Sequence, residues 1–257
     1  MNRAVFSILA IFALFAVVTM PQAVQASEGT VHPAQQSWHF DGFAGTYDRG
    51  ALQRGYKIYR EVCSACHSMK RVHFRNLEAL GYDESQIKTI ASGYNVIDGP
   101  NDEGDMYERP ARPSDAFPSP FPNKNAAKFA NGGAAPPDLS LITKARHDGP
   151  NYVFGLLTGY EEPPHGETLN DGQHWNKYFP GHKLAMAPPL SDDQVAYEDG
   201  MPQTVEQYAR DVVQFLTWAA DPYMEERKRT GLKTLIFLLV LAGVMYAVKR
   251  RIWADQH

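Results

Sequence analysis

Cysteine is almost missing from this chain of 257 residues: there are two, Cys63 and Cys66. A tetrahedral zinc site built on cysteine therefore has no second ligand pair, and no disulfide can form elsewhere even in an oxidising compartment. Strict apolar–polar alternation is scarce, so an extensive half-buried sheet is not expected. Internal repeats and low-complexity tracts are absent, which excludes solenoids and collagen-like arrays. No nucleophile–base or paired-carboxylate constellation stands out, and no catalytic residue is assigned. The composition, 44% apolar and 21% charged, is ordinary for a folded protein.

What is present centres on Cys63-Ser64-Ala65-Cys66-His67. On a helix two residues three apart share a face, so both sulfurs reach the vinyl groups on one edge of a porphyrin. His67, one turn from Cys63, then meets the iron. One covalently bound haem c is the cofactor this spacing implies. A thioredoxin-like redox pair would need a preceding strand. Here the preceding residues instead follow a helical period, with Asp48 as N-cap and Leu52, Tyr56, Tyr59 and Cys63 on one stripe.

The two ends set the location. Met1-Asn2-Arg3, an apolar run to Met20 and small residues before Ser27 read as a secretory signal peptide, residues 1–26, cleaved after Ala26. Residues 235–248 form an uncharged run that, with Gly231, Leu232, Lys233 and Thr234, approaches the roughly 20 residues needed to cross about 30 Å of hydrocarbon. Basic triplets flank it at 227–229 and 249–251. The signal peptide decides the orientation: 27–230 as a periplasmic haem domain, 231–249 as the anchor and contact with membrane lipid, 250–257 as a cytoplasmic tail. Without Arg3, Lys233, Lys249, Arg250, Arg251 and Asp255 the exported part keeps 20 basic against 28 acidic residues. That balance disfavours nucleic acid. Clusters at Asp98, Asp102, Glu103, Asp105, Glu108 and at Asp192, Asp193, Glu198, Asp199 could steer a basic partner.

Along the chain, 27–46 reads as an extended aromatic arm. Short helices are expected at Phe74–Leu80, at Glu84–Ala91, from Asp138 or Ser140 to Arg146, and at Tyr152–Leu157. The proline-rich stretch between Gly93 and Pro137 carries Tyr94, Phe117, Phe121 and Phe129, and reads as an ordered loop covering an apolar surface. Thr204 and Gln207 form a capping box for a helix with Tyr208, Val212, Phe215 and Ala219 on one side. Asp221-Pro222 is expected to restart it into the anchor.

For the second axial position Met69, Met106, Met186, Met201 and Met224 compete, as do His147, His165, His174 and His182. Met186 is favoured because Pro188-Pro189 stiffen its loop, although methionine is also an ordinary gap-filler. A backbone carbonyl orienting His67 is expected, with Pro136-Pro137 as the candidate region.

Several motifs in one order now carry a resemblance: Arg60–Met69, Pro136-Pro137-Asp138-Leu139-Ser140, Lys144-Ala145-Arg146-His147, Tyr178-Phe179-Pro180-Gly181 and Ala185–Leu190. Together they resemble the cytochrome c1 family, the haem subunit of the ubiquinol–cytochrome c reductase (cytochrome bc1) complex. The resemblance implies a mainly α, cytochrome c-like domain with long irregular loops around one haem, the first helix crossing the last, and one C-terminal transmembrane helix. It implies Cys63 and Cys66 as haem thioethers, His67 and Met186 as axial ligands, and Pro136, Pro137 and Arg146 at the cofactor. Lys128 stands where the family usually places a propionate-binding arginine, and offers charge without the planar fork. Cytochrome b and the Rieske iron–sulfur protein are the implied partners, with a soluble c-type cytochrome as electron acceptor in a bacterial inner membrane. Two other readings stay open: a haem subunit of a terminal oxidase or nitric oxide reductase, and a haem sensor with an open iron site.

Overall fold

The computed structural model describes residues 31–256; the signal-peptide reading of 1–26 lies outside the described residues. Helices carry the fold. In chain order they are α1 (Arg49–Glu61), α2 (Glu84–Ser92), α3 (Lys124–Ala130), α4 (Gly149–Thr158), α5 (Val205–Ala220) and α6 (Met224–Ile252), with a 3-10 helix at Phe74–Leu80. Two short antiparallel hairpins are added, β1 (Asn95–Asp98) with β2 (Tyr107–Pro110) and β3 (His174–Trp175) with β4 (Lys183–Leu184). The mainly α expectation holds.

The core is the crossing of α1 with α5, flanked by α4. Asp48 starts α1 as expected, accepting from the Gly50 and Ala51 amides at 2.9 and 3.3 Å. The α1 stripe of Leu52, Tyr56 and Tyr59 is buried, and Tyr56 and Tyr59 lie 5.7 and 5.8 Å from the Phe215 ring of α5. Each such side chain contributes roughly 1.5–3 kcal/mol on burial. The two backbones meet at Gly55, where a Cβ would stand 2.2 Å from the Asp211 carbonyl oxygen. Beside that contact, fully buried Asp211 receives Arg54 Nε at 2.8 Å and Nη2 at 3.0 Å, the Tyr197 hydroxyl at 2.9 Å and Gln207 Nε2 at 3.1 Å.

The arm before α1 is docked by aromatic packing. Trp38 stacks on Phe40 at 5.5 Å, meets Phe154 of α4 edge-on, and donates its indole N–H to Asn151 at 2.9 Å.

Several boundaries differ from expectation. No helix forms between Asp138 and Arg146; that segment is a series of turns, because both proposed caps are engaged elsewhere, as described below. The helix expected at Tyr152–Leu157 opens earlier, at Gly149, with Pro150 in its first turn. Asp221 does not cap α6: its carboxylate pairs with Arg227 and Lys144, and Tyr223 precedes the helix. The long proline-rich stretch holds β1, β2 and α3, and of its aromatics Phe117 is buried against Tyr56, Tyr59 and Phe74, whereas Phe129 is 94% exposed.

Candidate haem site

α1 ends at Glu61, before the cysteines, and a 3-10 turn over Cys63–Ala65 carries the motif. With three residues per turn, positions three apart eclipse one another, so this tighter geometry keeps Cys63 and Cys66 on one side. The Cys66 and His67 amides both donate to the Cys63 carbonyl, at 3.1 and 2.9 Å. Cys63 is half-buried and Cys66 exposed, both as free thiols. Burial, helped by Cys66 nearby, pushes the Cys63 thiol up to about 12, so it stays uncharged at neutral pH.

His67 Nδ1 lies 2.8 Å from the Pro137 carbonyl oxygen. A carbonyl can only accept, so this contact assigns the proton to Nδ1 and leaves the Nε2 lone pair free. Burial holds the imidazole pKa below its ordinary value, against the opposing effects of Pro137 and Asp138. The ring is therefore neutral, the form in which imidazole ligates a metal.

The Pro137 carbonyl is itself fixed. Asp138 Oδ2 accepts from the Ser68 hydroxyl at 2.8 Å and the Lys70 amide at 3.0 Å, while Oδ1 accepts from the Ser140 amide at 2.9 Å. The Leu139 amide donates to the Ser68 carbonyl at 2.8 Å and the Arg71 amide to Ser140 Oγ at 3.1 Å. Burial alone would raise the Asp138 carboxyl; the hydrogen bonds from Ser140, Lys70 and Ser68 outweigh it and hold the pKa low. Sequence reasoning reads Asp138 and Ser140 as helix caps. Their use as a clamp across the chain leaves no local signal.

Met186 stands on another segment, two residues beyond β4. The Tyr160 hydroxyl donates to its carbonyl at 3.0 Å. Buried Asn176 fastens the same hairpin to α4, donating to the Leu156 carbonyl at 2.8 Å and accepting the Tyr178 amide at 3.1 Å. Tyr160, just after α4, and Asn176 are residues the sequence reading omitted. Among the competing histidines, His182 is engaged, stacked on Trp175 at 4.8 Å with Nδ1 3.1 Å from the Asn176 carbonyl oxygen.

The structure thus brings Cys63, Cys66, His67 and Pro137 together, with half-buried Pro136 adjoining. Lys128 is exposed in the last turn of α3, where its carbonyl accepts from the Gly133 amide at 2.8 Å. Exposed Arg146 donates to the Ala145 carbonyl at 3.1 Å and lies close enough to Tyr152 to oppose the burial-driven rise in that phenol's pKa. Neither Lys128 nor Arg146 hydrogen-bonds to the His67 cluster among the described residues.

The donor set suits a c-type haem: two thiols on one side of a turn and a neutral imidazole whose free nitrogen is fixed by its partner. Comparison with known proteins gives the family. Residues 38–256 match the Cytochrome C1 family. "Cytochrome b/c1" of Bradyrhizobium diazoefficiens is 51% identical over 92% of this chain, which spans 38% of that protein's length. "Cytochrome c1" of Rhodospirillum rubrum is 48% identical over 93% of this chain and 94% of its own. "Cytochrome c1 1, heme protein, mitochondrial" of Arabidopsis thaliana is 51% identical, covering 91% of this chain and 76% of that one.

Proposed function

This chain belongs to the cytochrome C1 family, and from that premise we propose that it is the electron-carrying haem subunit of a bacterial cytochrome bc1 complex. It takes one electron from a Rieske iron–sulfur protein and passes it to a soluble c-type cytochrome. The observation that carries this reading is the His67–Pro137 hydrogen bond, which leaves Nε2 as the free ring nitrogen of the residue that follows Cys66. Association with cytochrome b is supported by the Bradyrhizobium relative, whose name joins b and c1.

Bound at this site, haem c supplies a one-electron iron couple. Cys63 and Cys66 would hold it as thioethers, and His67 Nε2 would ligate its iron. Pro137 accepts the Nδ1 proton, which fixes the ring and raises its basicity. Met186 would supply a thioether to the iron, a ligand that raises the potential. Tyr160 holds the Met186 backbone, so the loop is ordered by contacts that do not use the sulfur. Proton transfer is required of no residue.

Helix α6 is the membrane anchor, with the haem domain on the periplasmic side. It is 29 residues long, about 43 Å at 1.5 Å per residue. None of its most apolar stretch is buried, and Leu235, Phe237, Leu239 and Val240 are more than half exposed.

Met186→Leu is expected to lower the midpoint potential by roughly 0.1 V or more, within the span of about 0.8 V that axial ligands set, and to open the reduced iron to carbon monoxide. Redox titration and carbon monoxide difference spectra of the membrane-bound protein measure both. An unchanged potential removes Met186 from the iron. Pigment extracted by acid–acetone from the denatured chain removes the thioethers.

A further inference from the structure

The segment that carries Met186 has no regular structure from Ala185 to Pro188, and among the described residues its hydrogen bonds come from a single side chain elsewhere. The Tyr160 hydroxyl stands 3.0 Å from the Met186 carbonyl oxygen and 3.4 Å from that of Ala187, its one proton shared between them. No amide or carbonyl of residues 185–188 enters a backbone–backbone hydrogen bond among the described residues, and Pro188 has no N–H to offer. The prolines fix dihedral angles inside the segment. They do not fasten it to the domain.

Tyr160 is itself firmly placed. It follows the end of α4, whose Val153 and Phe154 are buried, and pairs with Asn176 as an isolated antiparallel bridge. On either side, the Lys177 amide donates to the Gly159 carbonyl at 2.9 Å, and fully buried Asn176 donates to the Leu156 carbonyl at 2.8 Å. The Tyr178 ring lies so close over Gly159 that a Cβ there would stand 2.5 Å from Cδ2. The phenol therefore joins an irregular segment to a packed helix.

A methionine side chain turns about three bonds, so its sulfur is delivered to one point only as well as its backbone is held. A ligand whose competent arrangement is populated part of the time binds more weakly by that fraction. We infer that the Tyr160 hydroxyl is a positioning group for the second axial ligand: by holding the Met186 and Ala187 carbonyls, it keeps the thioether at the iron and slows its departure. The inference rests on Met186 being that ligand.

The test uses the oxidised, haem-loaded chain in its native complex, mixed in a stopped-flow instrument with imidazole, which binds ferric iron only after the sulfur has left. At saturating imidazole the observed rate is the rate of that departure. Tyr160→Phe keeps the ring and removes the donor; its rate is expected to rise roughly three- to tenfold, the range that one net hydrogen bond implies, with a midpoint potential between those of wild type and Met186→Leu. Tyr47→Phe is the matched control, because that phenol donates to the Asp221 and Thr217 carbonyls at the same 3.0 and 3.4 Å, at the C-terminal end of α5. Its rate is expected to stay at the wild-type value. An unchanged rate in Tyr160→Phe overturns the inference, and so does equal acceleration in Tyr47→Phe, which would make Tyr160 a general stabiliser. The red sulfur-to-iron charge-transfer band separates these results from failure of the ligand assignment. Its persistence in Met186→Leu, or its absence from the wild type, overturns that assignment and the positioning role with it.

Discussion

His67 shows how a single side chain acquires its chemistry from elsewhere in the chain. Its place after two cysteines is legible in five residues. Its tautomer is not, because Nδ1 is held by the Pro137 carbonyl, 70 positions away. Asp138 makes that contact durable, and its depressed pKa gives a pH signature. A carboxylate whose folded pKa lies below its unfolded value contributes stability that is fully present above the unfolded value, about 3.9, and is lost as pH falls through the folded pKa. Asp138→Asn is therefore expected to cost about 1–3 kcal/mol at pH 7. The gap from wild type should narrow below about pH 4, as followed by thermal unfolding across pH. A gap independent of pH would mean that the carboxylate charge is not what holds the turn. Tyr160 and Asn176 are illegible for a similar reason: both act on backbone carbonyls, which no residue pattern specifies.

Helices were the most readable elements where a cap and an apolar stripe coincide, as at Asp48 with Leu52, Tyr56 and Tyr59, or at Thr204, which accepts the Gln207 amide at the start of α5. The helix expected from Asp138 to Arg146 fails because a cap residue can serve a distant backbone equally well. The crossing of α1 and α5 depends on detail finer than a stripe. Gly55→Ala drives a Cβ into backbone at 2.2 Å. A cost of about 1–3 kcal/mol is expected from overpacking, measured as a lower unfolding temperature, while Gly50→Ala, whose nearest contacts are at 3.4 Å, serves as the tolerant control. At the same crossing, burial opposes the charge on Arg54, but Asp211 and Asp199 more than compensate and its pKa rises. Asp211→Ala is expected to cost about 3–5 kcal/mol, because it leaves the Arg54 guanidinium with only the more exposed Asp199 and removes the acceptor of Tyr197 and Gln207. The double change Arg54→Leu with Asp211→Leu should be less destabilised than the Asp211→Ala single. Additive losses in denaturant titrations would show the two groups to be uncoupled.

Over the whole molecule, the acidic balance of residues 27–230 was plain from composition, but which carboxylates face outward was not. Asp98 is taken up by Arg109, Asp199 by Arg54, and Asp192 by the Val205 amide. Asp102, Glu103, Asp105 and Glu108 are exposed and in no ion pair among the described residues. Replacing these four by their amides is expected to slow electron transfer to a basic soluble cytochrome several-fold at low ionic strength. The difference should fade near 0.15 M salt, where the Debye length is about 8 Å; stopped-flow oxidation measures it. The distance in sequence between the cysteines and the proline carbonyl carries one more consequence. A chain emerging from its amino end presents both thiols on a short turn long before residue 137 arrives. Aiming the imidazole waits for the later half of the polypeptide, so a product truncated before residue 137 keeps both thiols but lacks the acceptor that fixes the His67 ring.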